Sequence, residues 1–473
     1  MTTRRGNPPG HSRRTKGSFQ SSIILYTTCV ISFCVLFKEI TGSQTLLYVG
    51  ALNFSIHDVI FLSTVACLIA LLKKIKLNAI SLIIIALVAI TLAGFLRGLL
   101  VSPYDAVFAL RSTGAFIVLL VISVLLPDEG RIFADIRRVV IVSSIILASL
   151  VALRSIFGAS LFITDDIIRE VDINDGGRAL TSAGALWLAF GGIFAAERAI
   201  APRQGPHVRL NYGIILLVLC VALVASGQGT ANAAGLLSIL LVLAIAPGPS
   251  RELRVAAIGT MTLLGLVIVT ASDLLTYDSL EHLLPSGMEN WLLRRSANLE
   301  TRQEIWAGLM VDFDSWPWIS QYFGLPMGER PTIFISLWGG IYWELGVHSM
   351  YYGYLAVAGL VGVTLYVLLL GLTAFGNLTR LKKTPSNPYL PGPSVGLALT
   401  MMCAVFGYSY DLRNEQGLML ALAIASSTKS APSRRMLQPV GPKRAGDLLP
   451  SRMKAAMPET ADVRSRFGRG EVS

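Results

Sequence analysis

The sequence predicts an all-α, polytopic membrane protein of about twelve transmembrane helices, with a large helical loop between the ninth and the tenth. The chain of 473 residues is 53% hydrophobic and only 15% charged, whereas soluble domains carry about 25% charged residues. Its mean hydropathy is +0.61. Apolar runs of about 18 residues recur along the whole length, and each is long enough to span a bilayer. Because lipid cannot satisfy backbone N–H and C=O groups, these runs are expected to be helices.

The N-terminal segment 1–21 is basic and precedes the first apolar run, Ser22–Phe37. This order is also found in signal peptides, but the run continues into Lys-Glu-Ile-Thr-Gly-Ser-Gln without a small-residue cleavage site. We therefore interpret the run as the first membrane helix, and residues 22–428 as a transmembrane domain.

Each later apolar run predicts one further helix. The predicted helices cover residues 22–40, 56–72, 77–97, 104–126, 138–157, 179–196, 211–226, 230–246, 254–271, 349–375, 394–410 and 416–428. Only Gly227, Gln228 and Gly229 separate the seventh helix from the eighth, so these two are expected to form a tight helical hairpin.

The Lys and Arg residues are distributed unevenly about this layout. With the N-terminus in the cytoplasm, 29 of the 40 fall on the cytoplasmic side, as the positive-inside rule requires. Both termini are therefore predicted to be cytoplasmic. The net charge of +11 reflects this bias, so no nucleic acid is needed to explain it. The basic tail 429–473 is rich in Pro, Ser and Arg and is expected to be disordered near anionic lipid.

Ten of the eleven cationic residues on the opposite side are arginine, and Lys38 is the eleventh. Arginine offers a planar fork that binds phosphate or carboxylate through two hydrogen bonds, whereas lysine is a point charge. Avoidance of lysine near the outer headgroups explains the bias equally well, so both interpretations stay open. The ten are Arg97, Arg111, Arg154, Arg169, Arg178, Arg294, Arg295, Arg302, Arg330 and Arg413.

The only large predicted extramembrane segment is the loop 272–348. A loop of this length is expected to contain structure of its own. Residues 297–311 are predicted to form a short amphipathic helix, with Leu299, Trp306 and either Leu309 or Met310 as its apolar positions. Pro317 is expected to end the helix, because the residue before a proline is disfavoured in the helical conformation.

Arg302 lies within this predicted helix and shares a face with Arg295, seven residues earlier. No acidic residue stands three or four positions from Arg302, so its charge has no local partner. Two interpretations follow, a structural arginine that packs on Trp306 and an anion clamp at the outer membrane surface. The nearby Asp312 and Asp314 form an acidic pair of the kind that holds a metal ion on a nucleotide-sugar. Nucleotide-sugars are not expected outside the membrane, so no metal site is predicted here.

Four short motifs together resemble the O-antigen ligase and polymerase superfamily, over the region of about 220–370. In that family a long outer loop stands between helices nine and ten, as in the layout predicted above. The motifs are Arg302-Gln303-Glu304-Ile305-Trp306, Gly324–Gly328, His348-Ser349-Met350-Tyr351-Tyr352 and Gly359-Leu360-Val361-Gly362.

The resemblance implies an inner-membrane glycosyltransferase of lipopolysaccharide or exopolysaccharide biosynthesis. Such enzymes work at the periplasmic face and move a glycan from an undecaprenyl-diphosphate carrier to an acceptor sugar, without metal or cofactor. The acceptor is lipid A core for a ligase and another lipid-linked repeat for a polymerase. A chain-length regulator is a further candidate partner, besides the membrane lipids.

The resemblance also implies roles for individual residues. His348 and Arg302 become the catalytic candidates, and Arg302 with Arg295 and Arg178 would bind the donor diphosphate. Where the family commonly has Ser-Arg-Gly, this chain has Ser226-Gly227-Gln228-Gly229 and no arginine. Arg178 is therefore considered as a substitute for the missing arginine. The aromatic residues Tyr351, Tyr352 and Trp306 are the candidates for sugar binding.

The chemistry of the transfer agrees with these residue types. Negative charge builds on the leaving diphosphate, where arginines stabilise it. The acceptor hydroxyl must lose a proton, and a histidine at a helix N-terminus is suited to be the base or to orient the acceptor. The alternative is that His348 only caps the helix, with Tyr351 and Tyr352 as ordinary aromatic residues of the membrane interface.

Two other classes of function compete with this interpretation. A transporter or flippase for a lipid-linked or anionic substrate would also have about twelve helices. However, charges within the predicted spans are few, Arg111 being the best candidate, and the two halves show no clear repeat. A receptor or scaffold has no positive support. Polymerase and ligase stay unresolved, with a slight preference for the polymerase.

Overall fold

The computed structural model of the protein is a helical bundle. It describes residues 11–42, 45–49, 52–71, 78–125, 130–158, 161, 179–201, 204–246, 252, 254–256, 258–259, 289–331, 333–335, 341–343, 349–381, 392–410 and 414–428. The side chains of residues 11–21, 45–49, 52–53, 112, 130–131, 289–300, 334–335 and 341–343 are outside the description.

Thirteen labelled helices are described over these ranges. They are α1 (His11–Thr41), α2 (Ile56–Leu71), α3 (Ala79–Val101), α4 (Pro103–Leu125), α5 (Gly130–Phe157), α6 (Ser182–Ile200), α7 (Pro206–Ala225), α8 (Gly229–Ile245), α9 (Glu289–Ser315), α10 (Trp318–Phe323), α11 (Met350–Leu381), α12 (Pro393–Ser409) and α13 (Asn414–Thr428). Two antiparallel hairpins, which the sequence did not predict, pair β1 (Thr45–Val49) with β2 (Leu52–Ser55) and β3 (Ile333–Ile335) with β4 (Ile341–Trp343).

The fold class is that of an all-α membrane protein. Six helices of the described chain are long and apolar enough to cross a membrane, and a seventh counts if the two parts of α4, bent by 49°, form one span. Three more apolar helices, α2, α8 and α12, are shorter. Described helices overlap eleven of the twelve predicted positions, whereas most of the ninth, 254–271, lies outside the described residues.

Helices α6 and α13 form the centre of the bundle. Almost every side chain of both helices is buried, including Trp187 and Phe190 of α6. Small residues allow the neighbouring helices to approach closely: a side chain at Gly191 would collide with Ser144 of α5, and one at Gly235 of α8 with Ala189. Close helix packing of this kind replaces the hydrophobic driving force that lipid does not provide.

The loop helix α9 is longer than predicted, because it begins at Glu289 and continues to Ser315. Its end agrees with the prediction from Pro317, which stands between α9 and α10 with ψ of 144°. Leu309 is buried and Met310 is exposed, so Leu309 is the core position of the two that the sequence left open.

The segment Gly324–Gly328, after α10, is inserted between helices of the bundle. Met327 N–H donates to the carbonyl of Gly94 in α3 (3.0 Å), and Leu325 N–H donates to that of Ala356 in α11 (2.7 Å). Arg97 of α3 fixes the same region, since its guanidinium donates to the Gly324 carbonyl and to Ser320 Oγ. These contacts tie the loop to the membrane helices.

Helix α11 is broken at Gly359, where φ is 65° and ψ is −169°. Only glycine adopts this conformation readily. A Cβ at Gly359 would lie 2.3 Å from the backbone carbon of Tyr322, and one at Gly324 would lie 2.2 Å from that of Val357. The two motifs therefore begin at one backbone crossing: Gly324 lies against Val357 and Ala358, and Gly359 lies against Tyr322 and Phe323. The break in α11 admits the loop at this crossing.

Candidate functional site

The candidate site lies where α9 packs on the N-terminal part of α11. The apolar residues Ile305, Leu309 and Phe313 recur at four-residue spacing along α9, so they share one face. They belong to one buried cluster with Leu355 and Ala356 of α11. This apolar seam fixes the helix that carries Arg302 to the end of the bundle.

Trp306 begins an aromatic group at this seam. Its ring stacks on Tyr352 of α11, with ring centres 5.3 Å apart and planes 18° apart. Tyr408, in the last turn of α12, meets the same tryptophan edge-on at 5.1 Å. Two of the three predicted sugar-binding aromatics, Trp306 and Tyr352, are thus brought together, and Tyr408 joins them.

The guanidinium of Arg302 lies over the ring of Tyr410, with its central carbon 5.5 Å from the ring centre. Tyr410 directly follows α12. Within the described part of the chain, Arg302 forms no ion pair with a carboxylate. The ring contact described for Arg302 is thus with Tyr410, whereas the structural interpretation of the sequence named Trp306.

Tyr410 is fixed by a hydrogen bond to Gln228. Its hydroxyl donates to Gln228 Oε1 (2.9 Å), and Gln228 Nε2 donates to the carbonyl of Leu180 (2.8 Å). Gln228 stands at the start of α8 and is only 5% exposed. At the position where the family commonly has an arginine, this chain has a buried amide that joins α8 to the residues before α6.

A buried ion pair holds those residues from the other side. Arg154 of α5 donates to the carbonyls of Ala179 and of Glu39 in α1, and its Nη1 lies 3.9 Å from the Glu39 carboxylate. Both side chains are 1% exposed. The carboxylate also accepts the N–H groups of Thr181 and Gly184, so it caps the start of α6.

The described outer arginines therefore differ in their partners. Arg97 binds Ser320 and the Gly324 carbonyl, Arg111 pairs with Asp58, and Arg154 pairs with Glu39. These three are explained by structural contacts, including Arg111, the best candidate for a charge on a transport pathway. Arg330 is exposed. Of this set, only Arg302 is both near the aromatic group and free of a carboxylate in the described chain.

Three predicted site residues cannot be placed from their side chains. His348 and Arg178 lie outside the described residues, and Arg295 has only its backbone described, within α9. The chain neighbour of His348 is described: Ser349 is fully buried, its Oγ is 3.5 Å from the carbonyl of Gly407, and α11 begins at the next residue. The roles predicted for these three residues stay predictions.

Tyr351 and Tyr352 face different partners. Tyr351 donates its hydroxyl to the carbonyl of Ala404 in α12 (2.9 Å) and packs against Tyr366. Consecutive helical residues point about 100° apart, so only Tyr352 reaches Trp306. Tyr351 thereby joins α11 to α12.

Sequence reasoning missed Tyr408 and Tyr410, and it gave Gln228 no structural role. The only local signal was the aromatic spacing in Gly407-Tyr408-Ser409-Tyr410 at the end of an apolar run. Nothing in that spacing connects it with a helix in a distant loop.

Together these residues provide one cation, a packed aromatic group and a polar support at the end of the bundle. The ring beneath the cation does not neutralise it. Trp306 is only 6% exposed and its face is covered by Tyr352, so the exposed ring of the group is that of Tyr408. No protein-family model matches the chain, and the search of curated proteins finds no match either.

Proposed function

We propose that this protein is a membrane glycosyltransferase of surface polysaccharide assembly, of the O-antigen ligase or polymerase type. One observation carries the proposal: Arg302, unneutralised within the described chain, lies over Tyr410 beside the stacked rings of Trp306 and Tyr352. The motifs that resemble the superfamily support it, because two of them begin where the backbone at Gly324 crosses the backbone beside Gly359.

In the proposed reaction, the acceptor hydroxyl oxygen attacks the anomeric carbon of the donor glycan. The bond between that carbon and the diphosphate oxygen breaks, and the electron pair leaves with undecaprenyl diphosphate. Arg302, with Arg178 and Arg295, stabilises the negative charge that develops there. His348 accepts the proton of the acceptor hydroxyl or orients that hydroxyl. The residues supply all of these steps without metal or cofactor.

The proposal includes a placement in the bacterial inner membrane. Twelve helices cross the membrane, both termini are cytoplasmic, and the loop 272–348 lies in the periplasm. The bias of Lys and Arg supports this orientation. The contacts that join Glu39, Thr181, Gln228 and Tyr410 support the alternation of the spans, because they bring the end of α1, the starts of α6 and α8 and the end of α12 to one end of the bundle.

The decisive experiment uses the purified full-length protein with lipid-linked repeat units. A ladder of longer glycans from repeat units alone identifies a polymerase, whereas transfer that requires added lipid A core identifies a ligase. His348→Ala is expected to lower the rate at least ~100-fold, the usual contribution of a general base or acid, while the amount of folded protein is unchanged. Wild-type product levels in this variant would remove His348 from the mechanism.

Arg302→Ala is expected to lower transfer about 100-fold, as the loss of one charge-stabilising donor commonly does. Arg302→Lys should restore only part of the activity, because lysine lacks the planar fork. Arg330→Ala is the matched control, since Arg330 is an exposed arginine of the same loop. Equal effects of Arg302→Ala and Arg330→Ala would argue against a specific clamp.

The 49° bend in α4 and the broken helix α11 both favour the alternative, a transporter, because transporters use discontinuous helices. Here, however, the carbonyl freed by the break accepts Leu325 N–H, and the loop backbone fills the gap. Vesicles containing the protein distinguish the two functions: movement of the lipid-linked substrate across the bilayer without any glycan product would support the transporter.

A further inference from the structure

The contact between Arg302 and Tyr410 differs from every ion pair described at this end of the bundle. Arg111 and Arg154 each meet a carboxylate, which neutralises them. An aromatic face attracts a guanidinium through its quadrupole and carries no net charge. Within the described part of the chain, Arg302 is thus held by a ring that does not neutralise its charge.

The ring of Tyr410 is itself held firmly. It stacks on Phe406, a fully buried residue one turn earlier in α12, with ring centres 4.4 Å apart and planes 18° apart. Its hydroxyl is directed to Gln228 by the hydrogen bond of 2.9 Å. Stacking fixes the plane of the ring, and the hydrogen bond fixes the position of its hydroxyl end.

Gln228 is anchored in turn to residues that cannot easily move. Its Nε2 donates to the Leu180 carbonyl, and the neighbouring groups are bound by the buried pair Arg154 and Glu39. Ala179 N–H also donates to the carbonyl of Ser226, two residues before Gln228. A continuous chain of contacts therefore runs from the buried ion pair to the guanidinium of Arg302.

We infer that Tyr410, anchored by Gln228, is a positioning residue that holds Arg302 where the diphosphate of a lipid-linked donor binds. The inference rests on the proposed function, because it names how the donor site of that function is built. It also gives Gln228 a physical role: the amide does not contact the anion as an arginine would, but orients the ring beneath another arginine.

The test measures binding of farnesyl diphosphate, a short prenyl diphosphate, to the purified full-length protein, with farnesyl monophosphate as the comparison. Tyr410→Leu should weaken diphosphate binding about 5- to 10-fold, from the loss of the cation–ring contact. Tyr410→Phe keeps the ring but leaves Gln228 Oε1 without its partner, and a loss of about 3-fold is expected. Gln228→Leu should behave like Tyr410→Phe.

Two controls separate positioning from general damage. Tyr322→Leu and Tyr322→Phe change an exposed tyrosine of α10 and should leave the binding unaltered. Tyr410→Leu combined with Arg302→Ala should bind no more weakly than Arg302→Ala alone, since residues that act through one contact are not additive. In the transfer assay, Tyr410→Phe should raise KM for the donor and leave KM for the acceptor unchanged.

Each outcome bears on the inference. If Arg302→Ala weakens diphosphate binding while Tyr410→Leu, Tyr410→Phe and Gln228→Leu bind normally, the inference is wrong and the proposed function stands. If the wild type neither binds the diphosphate nor transfers glycan, both fail. Should Tyr410→Leu not fold, as judged by size-exclusion chromatography and thermal unfolding, Tyr410→Phe and Gln228→Leu decide the matter.

Discussion

Single residues decide how charge is used at the end of the bundle to which α9 is fixed. Arg154 and Arg302 are both arginines on the same predicted side, yet one is buried against Glu39 and the other lies on an aromatic ring. The first contact stabilises the fold, because it joins α5 to α1 and to the start of α6. The second contact is with a ring, which does not neutralise the arginine.

Arg154→Met is predicted to destabilise the protein by about 3–5 kcal/mol, the usual cost of removing one partner of a buried ion pair. The variant leaves the Glu39 carboxylate buried without its cation. Thermal unfolding in detergent measures the change, and Arg138→Met is the matched control, since Arg138 lies in the same helix and pairs with Asp135 at the surface. Similar unfolding temperatures for the two variants would contradict the structural role.

The sequence predicted only part of the surroundings of Arg302. No acidic residue stands three or four positions from Arg302, and the described side chains of α9 form no ion pair with it. One of the two open interpretations placed Trp306 against Arg302; the described ring contact of Arg302 is with Tyr410, and Trp306 stacks on Tyr352. Tyr410 comes from α12, and only tertiary packing brings it beneath Arg302.

The elements show how a loop becomes part of a membrane domain. The segment Gly324–Gly328 crosses α3 and α11 at backbone distance, and its N–H groups bond to carbonyls of both helices. Side chains are absent at Gly324 and Gly359 because backbone occupies the space they would need. The loop helix α9 is thereby held over the end of α11.

Gly359→Ala is predicted to destabilise the docked loop by at least about 2 kcal/mol, because alanine is strained at positive φ and its Cβ meets the Tyr322 backbone. Faster proteolysis of the loop and a lower unfolding temperature would show this. Gly371→Ala is the control in the same helix. Nothing lies within 4 Å of a Cβ at Gly371, and alanine there should stabilise by up to about 1 kcal/mol.

The sequence predicted most helices of the described chain and the end of α9, since apolar length and Pro317 are local signals. It did not predict the break in α11, because Gly359 stands in a continuous apolar run, where a glycine usually indicates close helix packing. The break depends on a partner segment 35 residues earlier in the chain. Local pattern contains no information about that pairing.

At the scale of the whole molecule, the fold places polar residues from many helices at one end of an apolar bundle. Glu39, Arg154, Gln228 and Tyr410 come from α1, α5, α8 and α12 and are joined by hydrogen bonds or through the backbone between them. The sequence predicted an all-α membrane protein, and the described helices agree with it. The sequence did not predict the two hairpins, because strands of three to five residues are too short to show a clear alternating pattern.

The predicted orientation can be tested with a membrane-impermeant maleimide on intact spheroplasts. Arg330→Cys, in the loop, should be labelled, whereas His207→Cys, at the start of α7, should be labelled only after the membrane is opened; both positions are exposed. The parent chain is the control for its five natural cysteines, all in helices. Labelling of both sites from the outside would reject the proposed placement of the loop.

The break in α11 has a consequence for how the chain enters the membrane during synthesis. A carbonyl without a hydrogen-bond partner is costly in lipid, and that of Ala356 is satisfied by Leu325. Leu325 leaves the ribosome before Ala356, so the group that completes the broken helix is already made when that helix is inserted. The loop segment thus precedes the broken helix in the chain, which suits insertion that proceeds from the N-terminus to the C-terminus.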